Sequence, residues 1–178
     1  MNFETIDKLP LHPLVVHAPI VLIPLVTIAT IITSFKPEWH KAFAIPVGVL
    51  TFASLVTSYL AKESGEFLEE KVRKSQLLEE HAELGDAFFI IALIFTIIVV
   101  VWCLYPFAVD KIAMLKDKGK AIRVTLCVIT IAFSIYASYG VYRVGHSGAR
   151  SVWHDTANKG QIGSDGGGEH GEHEEHER

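Results

Sequence analysis

The sequence predicts an all-α fold: an integral membrane four-helix bundle with a disordered, acidic, His-rich C-terminal tail. Half of the 178 residues are hydrophobic and the mean hydropathy is +0.34, although 20% of the residues are charged. The charges are segregated along the chain. Four stretches contain no Asp, Glu, Lys or Arg, namely residues 14–35, 42–61, 87–105 and 124–142. At about 1.5 Å of rise per residue, each is long enough to cross a hydrocarbon layer of about 30 Å as a helix.

The third stretch shows why a soluble bundle is the weaker interpretation. A helix of a soluble bundle needs a polar face that recurs every three or four residues. Residues 88–102 read FFIIALIFTIIVVVW and have no such face. We therefore predict a membrane domain over residues 1–155, with spans at the four charge-free stretches, and a flexible tail over residues 156–178.

The first span is expected to remain in the mature chain. The residues before it carry Glu4 and Asp7 against Lys8, so they lack the basic segment that precedes the apolar core of a secretory signal peptide. No small-residue cleavage site follows the apolar run.

The charges also predict an orientation. Four spans place the two tight connections, residues 36–41 and 106–123, on one side of the membrane. These connections carry seven basic and three acidic residues, whereas the rest of the chain carries nine basic and seventeen acidic ones. Basic residues favour the cytoplasmic side, so both termini and the middle loop are predicted to be extracytoplasmic.

Four histidines fall on that predicted extracytoplasmic side. Three different helices would bring them to about one depth in the membrane: His12, His17, His81 and His146. A single histidine there is most simply an interfacial residue. Four at one level favour a functional cluster, because ionisable groups in a membrane bundle tend to face its interior. Carboxylates are available on the same side from Glu63, Glu66 and Glu80.

The residues around these histidines suggest a ligand pocket. On the third helix, Gly85 and two further residues share a face with His81, which would give room to a flat macrocycle or to a neighbouring helix; the two are Phe88 and Ala92. On the fourth helix, Tyr139 and Tyr142 share a face with His146. An interfacial tyrosine belt is the alternative interpretation of those tyrosines.

The tail is glycine-rich and acidic from Gly163 onward, with no apolar residue to bury, and is therefore predicted to be disordered. His170, His173 and His176 recur among carboxylates and could bind divalent metal ions weakly. A solvated acidic tail is an equally good interpretation. The chain shows no Walker loop, nucleophile triad or dinucleotide-binding fingerprint, and no basic surface suited to nucleic acid.

Three segments carry a family resemblance: LHPLVVHAPIVLIPL in the first span, HAELGDAFF before the third, and GHSGARSVW after the fourth. Over about residues 9–155 they resemble a bacterial four-span membrane family catalogued as domain of unknown function 2231. The positions that match its motifs are His12, Pro13, His17, Pro19, Gly65, His81, Gly145, His146 and Gly148. The resemblance implies a place in the bacterial cytoplasmic (inner) membrane. The resemblance also implies a link to electron transfer, since some members of that family are joined to Rieske-type or cytochrome c domains.

Two functional hypotheses follow, and both favour an electron-transfer or binding protein over a stand-alone enzyme. In the first, the histidines hold haem b, with His17, His81 and His146 converging on one pocket and Arg143 or Arg150 pairing with the propionates. In the second, the histidines and Glu63 or Glu66 bind zinc, copper or iron, and the tail collects the ion. A structural subunit of a larger membrane complex is the remaining alternative. Besides the lipid bilayer, the expected partner is a redox protein or such a complex.

The orientation can be tested directly. Both termini are predicted to lie outside the cytoplasm. A reporter fused to the C-terminus is therefore expected to be active if it is of a kind that works outside the cytoplasm, and inactive if it needs the cytoplasm. Lys118→Cys places a thiol in the second tight connection. Labelling of that thiol by an impermeant reagent added to intact cells would contradict the predicted orientation.

Overall fold

The computed structural model describes residues 5–6, 9–72, 74–112 and 119–165. Two strands of two residues each, β1 (Thr5–Ile6) and β2 (Leu9–Pro10), pair antiparallel at the start of this part of the chain. The helices follow as α1 (Leu11–Val15), α2 (His17–Ser34), α3 (Pro37–Glu69), α4 (Gln76–Lys111) and α5 (Gly119–Asp165).

The helix boundaries follow from local chemistry. Val16 separates α1 from α2 but keeps right-handed helical dihedral angles, so the two helices form one continuous span. Pro19 has no N–H to continue the ladder of backbone hydrogen bonds, which accounts for an interruption near this point. Pro37 occupies the first turn of α3, where a missing N–H leaves no hydrogen bond unmade. Ser75 caps α4, since its side chain accepts a hydrogen bond from the N–H of Leu78 at 3.2 Å.

Four helical segments are long and apolar enough to cross a membrane: Leu11–Ser34, Pro37–Glu69, Gln76–Val109 and Gly119–Trp153. They coincide with the four charge-free stretches, which confirms the predicted four-span helical architecture. Each of the last three is longer than the stretch that predicted it, with at least 33 residues. The additional turns contain charged residues that flank the charge-free stretches.

The four spans form a ring in which each helix packs against the next in the chain, and α5 closes the ring against α2. Successive spans run in opposite directions. The start of α1 therefore lies at the same end of the bundle as the α3–α4 connection, which we name the His12 end. The α2–α3 connection lies at the opposite end, which we name the His40 end after the buried histidine near the start of α3.

The distribution of apolar side chains is that of a membrane protein. The interior contains apolar residues such as Ile23, Phe95 and Val99, together with many hydroxyl side chains from Thr and Ser. Large apolar side chains cover the outside along all four spans, including Phe52 at 62% exposed and Val128 at 61% exposed. An apolar exterior of this extent suits lipid, and small or hydroxyl-bearing residues between helices are typical of membrane bundles.

At the far end of the chain, α5 runs to Asp165, so it continues into the segment that was predicted to be a flexible tail from residue 156. Residues 166–178, with His170, His173 and His176, lie outside the described residues.

A close contact between α4 and α5 allows a test of the packing. A Cβ added at Gly140 would lie 3.0 Å from Cδ2 of Phe88, which is itself buried in the core. Gly140→Ala is therefore expected to lower the apparent melting temperature in detergent by a few degrees, because Phe88 has to move. Gly145→Ala, on the same helix, meets no atom within 4 Å and should leave the temperature unchanged or raise it. Equal effects of the two substitutions would contradict this packing.

Candidate functional site

His12 lies half-buried in α1 and reaches across to α3. Its Nδ1 lies 2.8 Å from the backbone carbonyl oxygen of Ala61. A carbonyl oxygen can only accept, so Nδ1 of His12 carries the hydrogen and donates it. In the neutral imidazole, Nε2 of His12 then has no hydrogen and presents a lone pair.

His81 lies in the first turns of α4 and reaches across to α5. Its Nδ1 lies 2.9 Å from the hydroxyl oxygen of Ser147, a residue that is 8% exposed. The single hydroxyl hydrogen of Ser147 is donated to the carbonyl oxygen of Val144 at 2.9 Å. The two contacts are compatible when Ser147 accepts from His81, and in that arrangement Nδ1 of His81 carries the hydrogen. Nε2 of His81 is left with a lone pair, as in His12.

The two imidazoles are neighbours at the His12 end. Their ring centroids are 6.3 Å apart and their planes are inclined by 72°. Each ring packs against a glycine of the helix that it reaches. A Cβ at Gly65 would lie 3.0 Å from Cε1 of His12, and one at Gly148 would lie 2.9 Å from Cε1 of His81. Any larger residue at either glycine would push the ring aside.

The other two predicted histidines do not join this pair. His17 and His146 are exposed, and the ring beside His146 is that of Tyr142, at a centroid distance of 5.9 Å. The structure thus differs from the expected convergence of His17, His81 and His146. His17 is five residues after His12, so the two side chains point in different directions around the helix. His146 precedes Ser147, and the side chain that faces His81 is that of Ser147.

The remaining predicted ligands lie outside the pair as well. Glu63 and Glu66 are exposed, and Glu66 forms an ion pair with Lys62 on the same helix. Lys62 also lies 3.3 Å from the carboxylate of Asp86 on α4. Within the described ranges, no three His, Cys, Asp or Glu side chains form a group that could hold a metal ion.

The proposed slot for a macrocycle beside His81 is largely filled. Phe88 and Ala92 are buried in the core, and the ring of Phe88 packs against Gly140. Gly85 has no atom within 4 Å of where its Cβ would be, so open space remains only beside this residue. Arg143 and Arg150, the predicted partners for propionates, are exposed on α5.

Sequence reasoning missed two groups that orient the histidines, the hydroxyl of Ser147 and the carbonyl of Ala61. Ser147 lies inside the GHSGAR segment, and this was the only feature of the sequence that pointed to it. The carbonyl of Ala61 has no signal in the sequence, since every residue has one. Both groups come from helices far along the chain from the rings that they contact.

His40 lies at the opposite end of the bundle from this pair. It is 2% exposed, its Nε2 donates to the carbonyl oxygen of Trp102 at 2.8 Å, and its ring stacks on the Trp102 indole at 3.7 Å. Its substitution would disturb the core. The exposed His17 and His146 are therefore the better controls.

The fold and this pair of histidines define a class: a four-span helical membrane protein with two hydrogen-bonded imidazoles at one end of the bundle. The chain matches the model of the family described as Predicted membrane protein (DUF2231) over residues 8–160, and it belongs to that family. This finding confirms the resemblance seen in the sequence. No curated protein and no solved structure matches the chain.

The tautomers can be tested without any ligand. We expect nitrogen NMR of histidine-labelled protein to show an unprotonated Nε2 for both His12 and His81, whereas an exposed neutral histidine in water favours the opposite tautomer. Ser147→Ala should weaken this preference for His81, because the substitution removes one of its two acceptors and leaves the backbone carbonyl of Val144. Ser151→Ala is the matched control, since Ser151 also donates to a carbonyl three residues earlier on α5. Protonated Nε2 atoms in the unsubstituted protein would contradict the assignment.

Proposed function

We propose that the protein binds a transition-metal centre through Nε2 of His12 and Nε2 of His81, and the first candidate for that centre is the iron of haem b. One observation carries the proposal: both Nδ1 atoms are engaged as donors to fixed acceptors, so both Nε2 lone pairs are available. Metal-binding histidines characteristically donate their other ring N–H to a carbonyl or another acceptor, which sets the tautomer and raises the basicity of the ligand.

The spacing of the rings supports a shared centre. Metal–nitrogen bonds of about 2 Å on each side, with roughly 1 Å more from each nitrogen to its ring centre, separate two centroids by about 6 Å. The observed separation is 6.3 Å. The rings therefore lie about as far apart as one metal atom between them requires.

The number of ligands favours haem over a bare ion. Haem iron takes its equatorial ligands from the macrocycle and needs only two axial ligands from the protein. Zinc sites use three or four protein ligands, and no such group exists among the described residues. His12 and His81, without a third protein ligand, would therefore be enough to hold haem but not zinc.

Haem would supply one-electron chemistry, and the chain's own residues would hold it. His12 and His81 would be the ligands, with Ala61 and Ser147 holding their orientation. Arg143 and Arg150, exposed on α5, are available to pair with propionates. The charge distribution predicts that this end is extracytoplasmic, so electrons would be exchanged with a redox partner on that side.

A second candidate is a non-haem ion, namely copper, zinc or iron. The observation in its favour is the close contact of each ring with its glycine, Gly65 or Gly148, and the burial of Phe88. This packing suits a small ion better than a macrocycle. Imidazole is a good ligand for all three metals.

The test compares four single variants of detergent-purified protein: His12→Ala, His81→Ala, His17→Ala and His146→Ala. The visible spectrum and the metal content are measured for each, after addition of haem or of the metal salt. In the first two variants the affinity for the bound centre should fall at least about tenfold. The last two variants, which change exposed rings, should retain it. A reduced-minus-oxidised haem spectrum identifies haem, and a colourless protein with stoichiometric metal identifies the ion.

Two outcomes would overturn the proposal. One is the absence of binding of either centre by the unsubstituted protein. The other is an equal loss in all four variants, because a site built from His12 and His81 does not depend on the exposed rings. In both cases the structural-subunit alternative would take its place.

A further inference from the structure

The neighbouring helices α2 and α5 carry four hydroxyl side chains that we name the α2–α5 seam: Thr27, Thr30, Ser134 and Ser138. Thr27 connects the two helices directly. Its Oγ1 lies 3.1 Å from the carbonyl oxygen of Ser134 and 2.9 Å from the hydroxyl of Ser138. These contacts place Thr27 level with the turn between Ser134 and Ser138 on the opposite helix.

Two hydroxyls of the seam have no hydrogen-bond partner in the protein. Thr30 and Ser134 are both 0% exposed, and Oγ1 of Thr30 and Oγ of Ser134 are unpaired. Thr30 follows Thr27 by three residues, about 4.5 Å along α2. Because α5 runs antiparallel to α2, this step moves Thr30 from the level of Ser138 toward that of Ser134. The two unpaired hydroxyls thus lie on facing helices at about one depth.

Their behaviour differs from that of the other buried hydroxyls. A Thr or Ser in an apolar helix ordinarily donates to the carbonyl four residues earlier, which satisfies it without any partner from outside. Six buried hydroxyl residues in the described chain do so: Thr27, Thr33, Thr51, Ser58, Thr96 and Thr130. Thr30 and Ser134 have the same kind of carbonyl within their own helices but do not use it.

The third buried side-chain atom without a partner, among the described residues, lies on the same two helices. It is Nε of Arg123 on α5, whose Nη2 donates to the carbonyl oxygen of Ser34 on α2 at 3.1 Å. All three unpaired buried side-chain atoms of the described residues therefore lie on α2 or α5. Unpaired buried polar groups are costly, and proteins most often satisfy them with ordered water.

We infer that an ordered water molecule is bound in the α2–α5 seam and bridges the hydroxyls of Thr30 and Ser134. Both hydroxyls can donate and accept, so a water between them forms at least two hydrogen bonds, which is within the usual range for a buried water. This site is independent of the histidine pair, and its test needs no metal or haem.

The test uses Thr30→Val, Ser134→Ala and the double variant. Thr30→Val keeps the shape of the side chain and removes only its hydrogen-bonding capacity. If a water bridges the two hydroxyls, each single substitution should lower the apparent melting temperature by about 2–4 °C. The double variant should lose no more than the larger single loss, because either substitution already releases the water. Thr51→Val, at a site that is also 0% exposed but paired within its own helix, is the matched control.

The opposite sign is expected without a water. Thr30→Val, which replaces a hydroxyl by a methyl group, would then leave the melting temperature unchanged or raise it, which overturns the inference. If the double variant loses as much in melting temperature as the two single variants together, the two hydroxyls do not share one water, and the inference is overturned. If a variant fails to fold, an experimental density map of the unsubstituted protein decides instead. A density peak within hydrogen-bonding distance of both hydroxyls is expected, and a direct bond of either hydroxyl to a helix carbonyl would contradict the bridge.

Discussion

The hydrocarbon layer offers no water, so every polar group in the spans must find its partner inside the protein, and the rest of the structure depends on this constraint. It makes the spans helical, because a helix pairs its own backbone groups. It also explains why buried hydroxyls such as Thr51 and Thr96 donate to carbonyls of their own helix. Polar side chains that depart from that default form hydrogen bonds to a neighbouring helix, as Thr27 and His40 do.

The histidines show this departure most clearly. His40 is buried with its Nε2 bonded to a backbone carbonyl and its ring stacked on an indole, so it is part of the packing of the His40 end. His12 and His81 are hydrogen-bonded through Nδ1 instead, at the opposite end of the bundle. The histidines at the two ends thus differ in which ring nitrogen is paired.

Small residues connect the fold to the site. Gly140 lets the ring of Phe88 lie between α4 and α5, while Gly65 and Gly148 let the imidazoles reach the opposite helices. Gly48 and Gly145 meet no such neighbour. In the sequence all five glycines lie near apolar or histidine-containing segments. Their spacing does not distinguish the glycines that face a ring from those that do not. Only the three that face a ring have a packing role that the structure can explain.

The sequence by itself determined the number of spans, their helical nature and the end at which the four histidines lie, because charge-free runs of sufficient length have one stable form in lipid. The tertiary structure decided which histidines are neighbours. That choice depends on the rotation of each helix about its axis and on acceptors 49 residues from His12 and 66 residues from His81. A local pattern carries no information about such distant partners. For this reason the sequence favoured His17 and His146 as readily as His12, and neither Ala61 nor Ser147 was foreseen.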